Sequence, residues 1–290
     1  MTHIKTLMDR FSSEEEPLLP PRLRAAYDGN LRLPAAAGTV HVAANFVTTL
    51  DGVASFQVAG RSGGGEISGF NDADRFIMGL LRSTTDAVLF GSGSLHGDPG
   101  HVRTAEFIYP ALKEEFRSLR QTLLYKPIHP LNVVLTGTGQ INLDEPTFHT
   151  PDLPTLIITT EAGSERLNRD HGAALAMTQV RTTGESGKWV HPEKALAILR
   201  EEFGVKQVLH EGGPTLFGQF LASGLIDELF LTLAPQIAGR AHVPLRPGIV
   251  DKFSFLPGEA PWFNLMSIRA AQNHLYFRYR KIGPETAASR

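Results

Sequence analysis

The chain has 290 residues, of which 42% are hydrophobic and 20% charged, the composition of a folded globular protein. Its formal net charge of −2 argues against nucleic acid or a membrane surface as the main partner. It contains no cysteine, which excludes disulfides, a thiol nucleophile and the cysteine-ligated zinc of nucleobase deaminases. No apolar run reaches the ~18 residues that span a bilayer, and a secretory apolar core is missing, so we predict a cytoplasmic protein.

Residues 1–38 differ in composition from the rest of the chain. They hold a possible short helix near 4–11, an acidic turn and a proline-rich stretch at 17–21. We interpret them as an extension that wraps over the main domain, with partial disorder as the alternative. The main domain is predicted to span 39–283, and residues 284–290 are expected to form a frayed tail.

The main domain opens with a run of β-branched and aliphatic residues at 40–50, which predicts a buried strand. The strand ends at Asp51-Gly52, a turn signal. A glycine-rich stretch at 60–66 predicts a flexible loop, and the helical spacing that follows predicts a helix over 72–83, with Ser68 or Asn71 as its N-cap. A second strand is predicted over 86–90, running into a turn at 91–94.

Strand and helix then alternate to the end of the chain. Helices are predicted over 109–124, 165–175, 193–203 and 214–223, and strands over 131–136, 155–160, 177–181, 206–210 and 227–233. Two last strands, 262–270 and 274–280, are expected to form an antiparallel hairpin. This order predicts an α/β fold with a mixed, mostly parallel sheet flanked by helices.

The most informative stretch is 208–216, VLHEGGPTL. It predicts a buried strand that breaks at Gly212-Gly213 and restarts as a helix at Pro214. The free N–H groups and the positive end of that helix would form a phosphate site. Glu211 stands at the strand's end, where α/β sheets place ligands. A plain strand–helix turn with a solvated glutamate is the alternative.

Three strand ends carry glycine-rich or polar turns, at 49–52, 91–94 and 211–215, and we expect them to line one crevice. Their carboxylates, hydroxyls and bare amides can bind phosphates but offer little covalent chemistry, so a cofactor is expected. His96, Asp98 and His101 fit no compact zinc spacing, and no metal site is predicted. The glycines do not make the Gly-x-Gly-x-x-Gly pattern, which argues against a classical Rossmann domain.

Five segments in order resemble the reductase domain of riboflavin biosynthesis, a member of the dihydrofolate-reductase-like superfamily. They are TLDG at 49–52, LRSTTDAVLFGSGS at 81–94, EGGPTL at 211–216, LIDEL at 225–229 and APQIAG at 234–239. The similarity runs from about residue 40 to 281. It implies a dihydrofolate-reductase-like fold, NADPH as hydride donor, a homodimer, and reduction of the ribose of a phosphoribosylamino-pyrimidine to a ribityl chain.

The resemblance also implies roles for individual residues. Asp51 and Glu211 would be the catalytic groups at the substrate, orienting ribose hydroxyls or assisting proton transfer. Ser62, Arg82 and Arg103 would hold the pyrimidine or a phosphate. Contact with the cofactor, including its pyrophosphate at 213–217, would come from Val47, Gly91, Ser94, Asp98, Gly212, Gly213, Pro214, Thr215, Leu216 and Phe217.

Some positions depart from the family pattern. Val53 stands where a basic residue is common, and Gly63 to Gly65 form an apparent insertion. Two other functions therefore stay open: a reductase of a folate, a pterin or another small carbonyl or imine compound on the same fold, and a non-catalytic nucleotide-binding protein. A cofactor 2′-phosphate would need a positioned Arg or Lys, which the sequence does not locate.

Overall fold

The computed structural model describes residues 3–11, 18–34, 38–58, 60–172, 175, 178–184, 187–240 and 245–283. Its strands form one sheet. In chain order they are β1 Lys5–Asp9, β2 His41–Thr48, β3 Ala87–Gly91, β4 Leu131–Thr136, β5 Thr155–Thr159, β6 Gln179–Thr182, β7 Gln207–His210, β8 Glu228–Leu233, β9 Phe263–Ala271 and β10 His274–Lys281. Across the sheet the order is β1-β9-β10-β8-β2-β7-β3-β4-β5-β6.

The direction of the strands confirms the predicted fold class. All strands from β2 to β8 run parallel to their neighbours within that group. β10 pairs antiparallel with β8 and β9, and β9 pairs antiparallel with β1, so the predicted C-terminal hairpin extends the sheet at one side. Because β7 inserts between β2 and β3, the carboxyl ends of β2, β7, β3 and β4 lie side by side at one edge.

Helices cover both faces of the sheet. They are α1 Pro21–Tyr27, α2 Gly64–Ser68, α3 Asp72–Thr84, α4 Ser92–Gly97, α5 Ala105–Ile108, α6 Lys113–Ser118, α7 Glu161–His171, α8 Pro192–Phe203 and α9 Pro214–Ala222. Asn71 is the N-cap of α3, since its side-chain oxygen accepts the N–H groups of Ala73 and Asp74. No helix in these described ranges is long and apolar enough to cross a bilayer.

The strands bury side chains on both faces, as the continuous apolar runs predicted. In β2, Ala43 joins the core that contains Phe76 and Leu80 of α3. Its neighbours Val42 and Ala44 point the other way and join the core beneath α8 and α9. This alternation follows the two-residue period of a strand, and it places the sheet between two hydrophobic layers.

The prediction of a helix near 4–11 is wrong. Lys5–Asp9 forms the edge strand β1, with Lys5 opposite Ala270 and Asp9 opposite Ser267 of β9. The free hydrogen-bonding edge of β9 supplies partners that a short isolated helix would lack, so tertiary pairing overrides the local preference. Most of the predicted acidic turn lies outside the described residues.

Four other predicted elements differ in their bounds or continuity. The predicted helix over 109–124 is interrupted: Pro110, which has no N–H to donate, starts a 3-10 turn before α6, and a π-helical turn follows α6. The glycine-rich loop is helical from Gly64, and the turn at 91–94 opens helix α4 at Ser92. Residue 177, the predicted start of a strand, lies outside the described residues, and β6 begins at Gln179.

Candidate active site

A cavity of about 1030 Å³ lies along the edge where β2, β7, β3 and β4 end. It is larger than most single-ligand pockets, which measure roughly 300–1,000 Å³, so it has room for two bound molecules. Residues of the four strand ends form its floor: 45–47, 91–94, 135–138 and 211–216. The predicted crevice therefore exists, except that the 49–52 turn does not line it.

The two glycines between β7 and α9 differ in their surroundings. A Cβ atom on Gly212 would lie 2.8 Å from Leu216 Cδ2 and 2.9 Å from His210 Cε1, so packing beneath the turn excludes a side chain. A Cβ atom on Gly213 would meet nothing closer than the Ser94 hydroxyl, 3.9 Å away. Gly213 is the N-cap of α9, and this open space leaves the first N–H groups of the helix facing the cavity.

His210 supports this turn from below. Its ring is fully buried against Phe46, Phe217 and Phe220, and its Nδ1 accepts the Gly212 N–H at 3.3 Å. Burial lowers the pKa of His210 to about 4, so the imidazole is neutral at pH 7. His210 is not among the residues singled out from the sequence, although its place inside an apolar strand indicates a buried ring.

Glu211 is held by a buried ion pair. Arg82 Nε donates to Oε1 at 2.9 Å and Arg82 Nη2 to Oε2 at 2.7 Å, with both side chains at most 9% exposed. Burial acts to raise the pKa of Glu211, but the charge and hydrogen bonds of Arg82, with Arg103 nearby, outweigh it and lower the pKa. Glu211 is therefore an ionised carboxylate whose charge Arg82 neutralises.

The hydrogen bonds of Arg82 continue into a chain of polar groups. Arg82 Nη1 donates to the carbonyl of Thr104, and Nη2 donates to His101 Nε2 at 3.0 Å. The proton of neutral His101 therefore sits on Nδ1, which lies 3.0 Å from Asp98 Oδ2. Burial lowers the pKa of His101, which agrees with a neutral ring. Asp98, His101, Arg82 and Glu211 form one continuous network, and Arg82 uses most of its donors inside it.

Arg103 is a cavity cation that has unused hydrogen-bond donors. Its guanidinium lies 3.7 Å above the centre of the Phe90 ring and is 4% exposed. Its Nη1 donates to the His101 carbonyl at 3.3 Å, and the described residues offer its other N–H groups no acceptor. Burial lowers the pKa of Arg103 to about 10, so it stays charged at pH 7. It lines the cavity and suits an anionic ligand.

Asp74 is a cavity residue that the sequence analysis missed. It lies in the first turn of α3, is 5% exposed, and lines the cavity. Its Oδ1 accepts the Thr232 hydroxyl at 2.7 Å. Burial raises the pKa of Asp74 because the charged form loses its hydration. An acid in the first turn of a helix ordinarily indicates only interaction with the helix dipole, so no local signal singles out Asp74.

Most residues singled out from the sequence come together in this cavity, whereas two do not. Asp51 accepts hydrogen bonds from the Thr49 hydroxyl and from the N–H groups of Ala238 and Gly239. These bonds lower the pKa of Asp51 to about 2 and tie the end of β2 to the loop after β8. Phe217 is 1% exposed and packs against Phe46 in the core. The cavity is lined by Val47, Ser62, Arg82, Gly91, Ser94, Asp98, Arg103, Glu211, Gly212, Gly213, Pro214, Thr215 and Leu216.

The positions of Asp51 and Phe217 have simple physical causes. Two backbone N–H groups of the 238–239 loop lie within reach of the Asp51 carboxylate and hold it away from the cavity. Phe217 lies on the side of α9 that packs on the sheet, where its ring is removed from water. In the part of the chain that the structure describes, no three His, Asp or Glu side chains are placed to hold a metal ion.

Comparison with known proteins identifies the family. Residues 40–275 match the family described as RibD C-terminal domain. The chain belongs to the RibD C-terminal domain family. This confirms the resemblance drawn from the five sequence segments.

Two curated relatives of this RibD C-terminal domain have informative names. The chain is 31% identical over 123 residues to the 2,5-diamino-6-ribosylamino-4(3H)-pyrimidinone 5′-phosphate reductase of Aquifex aeolicus, which covers 41% of this chain and 51% of that protein. It is 26% identical over 215 residues to riboflavin biosynthesis protein RibD of Bacillus amyloliquefaciens, covering 74% and 48%. The chain thus spans about half the length of these relatives.

A solved structure shares the fold of this RibD C-terminal domain. The pyrimidine reductase-like protein of Corynebacterium diphtheriae superimposes with a TM-score of 0.63 at 21% sequence identity. The match covers 84% of this chain and 92% of that one.

Proposed function

We propose that this RibD C-terminal domain reduces a phosphoribosylamino-pyrimidine in riboflavin biosynthesis, with NADPH as the hydride donor. The observation that carries the proposal is the open start of α9. Gly213 leaves the first N–H groups of the helix bare, the Ser94 hydroxyl stands opposite, and both face the large cavity. The names of the curated relatives support the choice of substrate.

The cavity offers separate places for two anionic groups. The N–H groups at the start of α9 suit the cofactor's diphosphate, since a helix N-terminus supplies both donors and positive potential. Phe217 N–H is already bonded to the Gly213 carbonyl, so Thr215 and Leu216 provide the free donors. Arg103, over Phe90, suits the phosphate of the substrate. Arg82 is already paired with Glu211, so we give it a structural role in the cavity wall and not a role in binding either anion.

The reaction needs a proton as well as a hydride. When bound, NADPH would supply a hydride to C1′ of the ribose; the C1′–O4′ bond would break with its electron pair on O4′, and O4′ would need a proton to complete the ribityl chain. Asp74 is suited to hold that proton, because burial favours its neutral form and Thr232 fixes the orientation of its carboxyl group. We therefore assign Asp74, in place of Asp51, as the acid at the substrate.

A matched pair of variants at Gly213 tests the proposal. Serine and aspartate are both good N-cap residues, so Gly213→Ser and Gly213→Asp should both fold. The aspartate places a negative charge where the diphosphate would lie. Either new side chain can accept the Thr215 or Leu216 N–H, so both variants should weaken NADPH binding, but the added charge should make Gly213→Asp bind NADPH more weakly than Gly213→Ser by roughly tenfold or more, a cost near 1.4 kcal/mol.

Two measurements complete the test. Isothermal titration calorimetry gives the affinity for NADPH, and NADPH oxidation with the aminopyrimidine substrate gives the activity. NADPH deuterated at the transferred position should place one deuterium at C1′ of the product. A wild-type chain that binds no nicotinamide cofactor would refute the proposal. The homodimer implied by the resemblance stays a prediction, which sedimentation velocity tests.

A further inference from the structure

We propose that Lys188 and Trp189 form the adenosine end of the cofactor site and select NADPH over NADH. The inference rests on the proposed function, because it assigns the far end of the same cavity. Trp189 lines the cavity with 52% of its surface exposed, beside Lys188. Neither residue belongs to a motif singled out from the sequence.

The segment carrying these side chains is fixed against the end of β4. A Cβ atom on Gly137 would lie 1.8 Å from the Lys188 carbonyl oxygen, so only glycine permits this approach. The Thr160 hydroxyl bonds to the Gly137 carbonyl at 2.8 Å, and Val190, next along the chain, is 4% exposed in the core. The backbone that carries Lys188 and Trp189 is thus held by the contact of the Lys188 carbonyl with Gly137 and by the burial of Val190.

Their location fits the length of a dinucleotide. β4 is the third strand from β2 in the sheet, so the two strand ends lie about 14 Å apart at ~4.8 Å per strand. The bare N–H groups of α9 lie between them, at the end of β7. With the diphosphate over β7 and β3, one end of an extended dinucleotide reaches β2 and the other reaches Trp189.

The chemistry of the pair suits a 2′-phosphorylated adenosine. The exposed indole gives a flat apolar face on which a purine can stack. Lys188 forms no ion pair with any described residue, so its ammonium group is free to meet the 2′-phosphate. Thr138 also lines this end, and among the described residues its hydroxyl only accepts, from the Gln140 N–H, so its proton can be donated to a ligand. NADH lacks the phosphate and would not engage Lys188.

The two tryptophans of the chain allow a direct test. In a Trp262→Phe chain, Trp189 is the single indole, and a Trp189→Phe chain is the matched control. Adenosine 2′,5′-bisphosphate is the probe, because it lacks the nicotinamide and reports only the adenosine end. We expect it to quench fluorescence in the Trp262→Phe chain and to leave the Trp189→Phe chain unchanged.

Lys188→Met tests the selection between cofactors by calorimetry. Losing one charge-assisted hydrogen bond should weaken the binding of NADPH and of adenosine 2′,5′-bisphosphate by roughly ten- to a hundredfold. NADH and 5′-AMP should bind Lys188→Met as they bind the wild type. Suppose that NADPH binds the wild type, while adenosine 2′,5′-bisphosphate does not quench Trp189 and Lys188→Met binds NADPH as the wild type does. In that case this inference fails and the proposed function stands. If NADPH does not bind the wild type, both fail.

Discussion

Arg82 and Glu211 lie 129 positions apart in the chain, yet their side chains meet in a two-point ion pair beneath the cavity. The pair joins α3 to the end of β7. Arg82 also bonds to the Thr104 carbonyl and to His101, so a single guanidinium links three segments of the cavity floor. The geometry of the site therefore depends on this contact.

Glu211→Gln should destabilise the fold strongly. Removing one partner of a buried ion pair leaves the other charge uncompensated, which costs about 3–5 kcal/mol. Urea denaturation gives the free energy of unfolding. The control is Glu66→Gln, which breaks the exposed pair with Arg61 and should cause no measurable change. Equal shifts for the two variants would contradict the role given to Arg82.

Alanine should be tolerated far less well at Gly212 than serine at Gly213. The new Cβ at Gly212 would overlap Leu216 and His210, and overpacking of this kind costs about 1–3 kcal/mol. Gly213 faces open space, so Gly213→Ser should keep the wild-type stability. Thermal unfolding of the two variants measures the difference. A stable Gly212→Ala chain would mean that the turn is not packed as described.

His210 should make the protein less stable in acid. Its pKa is about 4 in the folded protein and 6.5 for the free side chain. Between pH 4 and pH 6.5 the imidazole is therefore protonated in the unfolded chain but neutral in the folded one, so protons favour unfolding. Its contribution is fully present above pH 6.5 and declines as the pH falls toward 4. The loss is at most about 3 kcal/mol, at 1.36 kcal/mol per pKa unit.

The pH dependence of urea unfolding tests the role of His210. His210→Phe keeps an aromatic ring among Phe46, Phe217 and Phe220 but cannot be protonated. Burial lowers the pKa of His41 and His101 as well, and both contribute with the same sign, so the variant is compared with the wild type. The stability of His210→Phe should fall less between pH 7 and pH 5. Parallel curves would exclude the buried neutral imidazole as the cause.

Asp74→Asn should slow the reaction without weakening the binding of NADPH. Asparagine can keep the hydrogen bond with Thr232 but cannot give up a proton, and loss of a general acid lowers kcat by about 10²–10⁴. Asp72→Asn, in the same helical turn but outside the cavity lining, is the control and should keep kcat. Steady-state kinetics and calorimetry with NADPH measure both quantities. An unchanged kcat in Asp74→Asn would remove Asp74 from the mechanism.

Local patterns of residues specify the inner sheet and the turn that faces the ligand cavity. Apolar runs specify β2, β3 and β4, because strands buried on both faces need continuous hydrophobic residues. Glycine and proline specify the break between β7 and α9, because backbone conformation at Gly212 to Pro214 is a local property. The predicted C-terminal hairpin was confirmed for the same reason, since its turn is short.

Contacts between distant parts of the chain set which of the polar side chains face the cavity. Asp51 follows a strand as Glu211 does, but loop N–H groups 187 and 188 positions away hold it elsewhere. β1 forms because it can pair with the outer edge of β9. Trp189 reaches the cavity because Gly137, which has no side chain, leaves room for the carbonyl of Lys188. Such contacts join residues far apart in the chain, and their energies depend on partners that no local pattern contains.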